Sequence, residues 1–115
     1  MLADADKMIN GQKYAIWGDT KLWTPRGEEF SAFGIDFSST GIALEGVVEN
    51  SSVYLLGFRN ADLIQSVNNV TIKTNTDFKT YLLKNNNVVE HHFDIIRNQK
   101  QIKLVIKKTL PNVLD

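Results

Sequence analysis

The sequence predicts a single α+β domain, a small and partly open β-barrel or sandwich of five to six strands with two or three helices. Three observations lead there. Short runs of strand formers recur along the chain, separated by Gly and Asn positions that suit tight turns. Thr74-Asn75-Thr76-Asp77 is a capping box, a hydroxyl three residues ahead of a carboxylate, and it opens a stretch with apolar side chains at i, i+3 and i+4. Ile102, Leu104 and Ile106 alternate with Lys103, Val105 and Lys107, the period of a strand buried on one face. A length of 115 residues fits one domain, and 43% apolar residues is enough for one modest core.

The elements follow in order. Residues 1–13 are polar and mixed, close on the turn pair Asn10-Gly11, and read as a linker, an N-terminal extension or a short helix with no core role. Residues 14–23 (YAIWGDTKLW) read as one strand entered through a tight loop at Gly18, ended by Thr24-Pro25-Arg26-Gly27. Residues 28–33 (EEFSAF) fit a helical turn or two, stopped at Gly34. Residues 41–48 (GIALEGVV) are apolar enough for a central strand. Asn50-Ser51-Ser52 then caps a short helix that stops at Gly57.

Residues 62–67 form the next strand, joined through Asn68-Asn69 to a short strand at 70–72; Asn at both turn positions suits a type I′ hairpin. The longer helix carries the stripe Phe78, Tyr81 and Leu82 and ends at Asn85-Asn86-Asn87. Residues 90–96 and 101–107 close the domain as a hairpin about Asn98-Gln99. The domain proper is therefore 14–108, and 109–115 is a tail.

Several chemistries are not expected. Thirteen basic residues balance thirteen acidic ones, so nothing suggests a general attraction to nucleic acid or anionic lipid. There is no cysteine, no apolar run long enough for membrane insertion, and no apolar secretory core near Met1. His91 and His92 are neighbours on a strand and point to opposite faces, which does not suit a shared metal. Glu28-Glu29 and the Asp4/Asp6 pair fit a solvated surface, no Gly-x-Ser-x-Gly elbow exposes a serine, and Gly41 and Gly46 are too far apart to cradle phosphate. The expectation is no catalytic residue, no metal and no cofactor.

Residues 51–72 (SSVYLLGFRNADLIQSVNNVTI) resemble the central signature of bacterial PDZ domains: a small capped helix, Gly-hydrophobic-basic-x-Gly-Asp, a strand, then Val-Asn-Gly and a short strand. Gly57-Phe58-Arg59-Asn60-Ala61-Asp62 supplies the first part and Val67-Asn68-Asn69 the second; Ala61 and Asn69 stand where the family usually has glycine. Asn suits the turn, whereas Ala61 requires a backbone conformation open to L-residues. The order of elements over 14–108 is similar to the permuted form found in trypsin-like heat-shock proteases and other envelope enzymes.

The resemblance implies a PDZ-like fold and a non-catalytic module that binds an extended peptide or protein segment by strand addition, between an edge strand and the capped helix. It places the loop at Ile16, Trp17 and Gly18, the edge strand at Asp19, Thr20, Lys21 and Leu22, and the opposite wall at Thr76, Thr80 and Leu83, with Lys79 at its border. Asp19 replaces an apolar residue of the family; pointing into the pocket it would repel a ligand carboxylate by about 1–4 kcal/mol. The groove takes either a peptide's C-terminus, as is usual in the family, or an internal strand, another segment of the same parent protein, or nothing. The alternative is an accessory domain packed against the catalytic domain of an extracytoplasmic hydrolase, a protease or glycan-degrading enzyme, with no free-peptide binding. A periplasmic or secreted location is implied by the resemblance alone. Trp17 and Trp23 bracket the strand, either as an aromatic platform or as caps on the core.

Overall fold

In the computed structural model, residues 8–9, 12–25 and 41–114 are described. The helical turns expected at 28–33, Gly34 and the turn pair Asn10-Gly11 lie outside them. The first strands, β1 (Met8–Ile9) and β2 (Gln12–Lys13), pair with each other as a separate antiparallel ribbon, in the stretch that reads as a linker or short helix.

All other strands among the described residues join one antiparallel sheet. They are β3 (Ala15–Trp17), β4 (Thr20–Trp23), β5 (Ile42–Glu45), β6 (Leu63–Val67), β7 (Val70–Thr71), β8 (His91–Arg97), β9 (Lys100–Ile106) and β10 (Val113–Leu114). Helix α1 (Ser52–Leu55) sits between β5 and β6, and α2 (Asn75–Lys84) between β7 and β8. The order across the sheet is β10-β3-β4-β5-β6-β8-β9, with β7 folded back on β6. The α+β class is therefore right, but the sheet is open and eight-stranded where a barrel or sandwich of five to six strands was expected.

Two local events account for the extra strands. Residues 14–23 are not one strand: Gly18 takes φ +58° and reverses the chain, so that Trp17 faces Thr20 across a two-residue hairpin. Residues 111–114, expected to be tail, return to the sheet and lay β10 against β3, with Val113 opposite Trp17 and Leu114 opposite Ile16.

The remaining turns follow their sequences. Asn68 and Asn69 both have positive φ, as do Asn98 and Gln99, the conformation that type I′ hairpins require. Ser51 caps α1 through the Tyr54 amide. Thr74 and Asp77 form the reciprocal capping box on α2. The sheet buries both faces through its period of two. Ile42, Leu44, Ile64 and Ile95 join Phe78, Tyr81 and Leu82 of α2 in the main core, while Ala43, Leu63 and Ile96 pack with Trp23 in a smaller cluster.

Candidate functional site

The corner 57–62 sets the frame. Asp62 is buried; its Oδ2 accepts the Arg59 amide at 2.7 Å, the turn role its sequence position implies. It also receives Arg97 from the end of β8, through Nε at 2.8 Å and Nη2 at 2.6 Å, and Nη2 also donates to the Gly57 carbonyl. This bidentate pair raises the Arg97 pKa further, chiefly through the hydrogen bonds to Asp62. The Ala61 amide donates to Leu44 O and the Leu44 amide to Asp62 O, tying the corner to β5.

The corner delivers Phe58 into the core, where four rings close a cycle. Trp17 meets Phe58 and Phe78 edge-to-face at 5.1 and 5.0 Å, and Phe93 completes the cycle against Phe58 and Phe78 at 5.1 and 6.1 Å. Trp17 has no exposed surface and Trp23 only 7%, so both cap core clusters and neither offers a platform to a ligand. One polar atom of Trp17 still needs a partner. Its indole Nε1–H donates to the Pro111 carbonyl at 2.7 Å, across 94 positions of sequence.

The expected edge is not an edge. β4 has β3 on one side (Ala15–Leu22, Ile16–Lys21, Trp17–Thr20) and β5 on the other (Lys21–Glu45, Leu22–Leu44, Trp23–Ala43). Thr20, Lys21 and Leu22 therefore have no free backbone row for a guest strand. Thr20 and Leu22 are fully buried, and exposed Lys21 stacks its ammonium over Tyr14 at 5.2 Å from the ring centre. Gly18 and Asp19 are the hairpin turn, with Asp19 in solvent, so its carboxylate faces no pocket. A Cβ on Gly18 would stand 2.5 Å from Ser52 Oγ, because the turn lies on the start of α1.

On α2, Thr76, Thr80 and Leu83 are exposed and Lys79 is half-buried. Thr80 opens on a depression of about 420 Å³ shared with Val70, Lys73, Asp77 and Lys84, on the β7 side of the helix. The helix still meets a strand: β10 lies alongside α2 and antiparallel to β3. β10 thus lies one strand further out than the expected edge, between β3 and α2. Ile16 and Trp17 stand opposite it, and Val113 is 3% exposed. Sequence reasoning missed this segment because Val113-Leu114 is too short to display a period.

A depression of about 660 Å³ lies over β6, β8 and β9 and includes Ser66, Asp94 and Lys103. Ser66 Oγ–H donates to Asp94 Oδ2 at 2.7 Å and Lys103 Nζ to Oδ1 at 2.9 Å. These bonds, that from Ser66 first, hold the Asp94 carboxyl below its usual range. A carboxylate so stabilised is a weak base, and this arrangement does not activate the serine as a nucleophile.

Among the described residues no three His, Asp or Glu side chains gather as metal ligands, and no helix is long and apolar enough to cross a membrane. Comparison with known proteins finds no family model and no curated protein that matches the chain.

Proposed function

We propose that the chain is a non-catalytic, PDZ-like binding module that takes up an extended peptide or protein segment by strand addition, at the β3–α2 groove instead of the β4 edge. One observation carries this reading: Val113 and Leu114 already lie there as a short strand, antiparallel to β3 and beside α2. Backbone pairing supplies affinity in such an arrangement, and the seat of an alternate side chain, here that of Val113, supplies selectivity. The Arg59 amide–Asp62 bond of the corner at 57–62 and the positive φ of Asn68 and Asn69 support the reading.

Titration of the 115-residue chain with a library of extended peptides, followed by amide NMR, tests it. Binding should move the resonances of residues 15–17, 76–83 and 111–114 together. Shifts confined to β9, or to the depression around Asp94, would refute the assignment.

The filled groove also supports the second reading, an accessory domain packed on a neighbouring domain of the same chain and binding no free peptide. On that reading the groove stays shut, and no peptide moves residues 111–114 at any concentration.

A further inference from the structure

Resting on the proposed strand-addition function, we infer that residues 110–114 are a built-in ligand of the β3–α2 groove, and that they spell out the segment an outside partner must present. The contacts of each position define that pattern. Leu110 packs against the edge of the main core. The Pro111 carbonyl accepts the Trp17 indole N–H at 2.7 Å, a bond any residue's carbonyl can make. Asn112 is exposed and selects nothing. Val113 is 3% exposed within the core cluster, opposite Trp17, where a small apolar side chain fits and a charge does not. Leu114 is 65% exposed, so its side chain is free to vary. The ligand class is an extended internal segment of the form apolar-x-x-Val, docked antiparallel to β3.

The same contacts identify the segment as a plug and not simply a last strand. β10 is two residues long and, among the described residues, pairs on one side only. The segment is reached through residues 107–109, which like its own 110–112 belong to no helix or strand. Removal of the segment would strip one hydrogen bond from Trp17 and empty the seat of Val113, while the ring cycle of Trp17, Phe58, Phe93 and Phe78 is made wholly by other elements. A tether this short holds a segment at an effective concentration on the order of millimolar. An outside segment making the same contacts therefore competes at a disadvantage set by the fraction of open grooves.

The test uses the 115-residue chain and its Val113→Asp variant, each titrated with a synthetic peptide of residues 107–115 and with the same peptide carrying Val113→Asp. The Trp17 indole N–H resonance reports occupancy. The variant should bind the unaltered peptide at least about tenfold more tightly than the parent chain does, as release of a cis competitor requires. The altered peptide should bind neither. A folded variant that ignores the unaltered peptide, or binds both peptides alike, overturns the inference.

Should the variant not fold, a protease site placed between Lys108 and Thr109 of the parent chain serves instead. After cleavage, excess labelled peptide should replace the cut segment with the fold intact. A segment that does not exchange, or a fold that collapses when it leaves, overturns the inference, as would a dimer formed by exchanging the segment between two copies. The failures separate cleanly. If the variant takes its own segment in trans but the parent accepts no outside peptide at all, the plug stands and uptake of partners falls. If the variant binds only peptides of another pattern, uptake stands and the built-in ligand falls.

Discussion

Ala61 holds φ +69° at the corner before β6, a left-handed conformation in which its Cβ crowds the backbone. The family pattern has glycine there, and the sequence could show only that an L-residue had to tolerate the position. The structure shows that Ala61 adopts the glycine conformation regardless, held by its amide bond to Leu44 and by the Asp62–Arg97 pair behind it. Arg97 lies 35 positions from Asp62, so this part of the corner was not legible from the local motif. Ala61→Gly relieves a left-handed cost of roughly 1–2 kcal/mol and adds back about half of it as unfolded-chain entropy. The expected net gain is about 0.5–1 kcal/mol. Urea unfolding checks it: the midpoint should rise with an unchanged slope. A falling midpoint would mean that the exposed methyl of Ala61 makes contacts worth more than the strain.

At the scale of elements, one buried polar chain joins α2, the β6–β7 turn and β8. His91 is 1% exposed, and its Nε2 lies 3.0 Å from the Val88 carbonyl, which can only accept. The ring is therefore protonated at Nε2, and Nδ1 accepts the Tyr81 hydroxyl at 2.8 Å while Asn68 Nδ2 donates to that hydroxyl at 2.9 Å. Burial, partly opposed by the Val88 bond, holds the His91 pKa below its ordinary 6.5. The folded state then resists a proton that the unfolded chain accepts. His91's contribution is complete above the unfolded value of 6.5 and is lost as pH falls toward the lower folded value. Urea midpoints at pH 7.5 and pH 5.5, two conditions on either side of that value, should differ for the parent chain and differ much less for His91→Gln. Equal slopes in the two proteins would clear His91. Asp94 and Glu90, held below their ordinary 3.8 and 4.5, lose their contributions only in a more acidic window.

Elements were legible wherever a local signal had a single reading. The Thr74–Asp77 box, the Asn68-Asn69 turn and the alternation in β9 all placed structure correctly, because capping, positive φ and a buried face each leave a mark within a few residues. The β3–β4 hairpin was not legible. Gly18 marks a tight loop, but strand formers continue on both sides of it, and the reversal depends on a two-residue turn seated on Ser52 of α1. Misreading that hairpin as one strand put the expected free edge on β4, which has β3 on one side and β5 on the other.

For the whole molecule, the end of the sheet beyond β3 is decided by residues 94 positions apart, a pairing that no window of sequence contains. Its stability should differ from that of the centre. β5, β6 and β8 each have neighbours on both sides and bury Ile42, Ile64 and Ile95 without exposed surface, so their amides should open only when the domain unfolds. β10 has one neighbour among the described residues, two residues and an exposed Leu114, so it should detach as a local event of much lower free energy. Native-state hydrogen exchange in low urea separates these cases. Amides within β5, β6 and β8 should share one urea-dependent opening, whereas any protected amide of Val113 or Leu114 should exchange earlier and almost independently of urea, since detachment exposes little surface. If the amides of β10 instead merge with those of β6 at all urea concentrations, the segment belongs to the cooperative core. A groove closed that firmly would be a permanent part of the sheet, open to no partner.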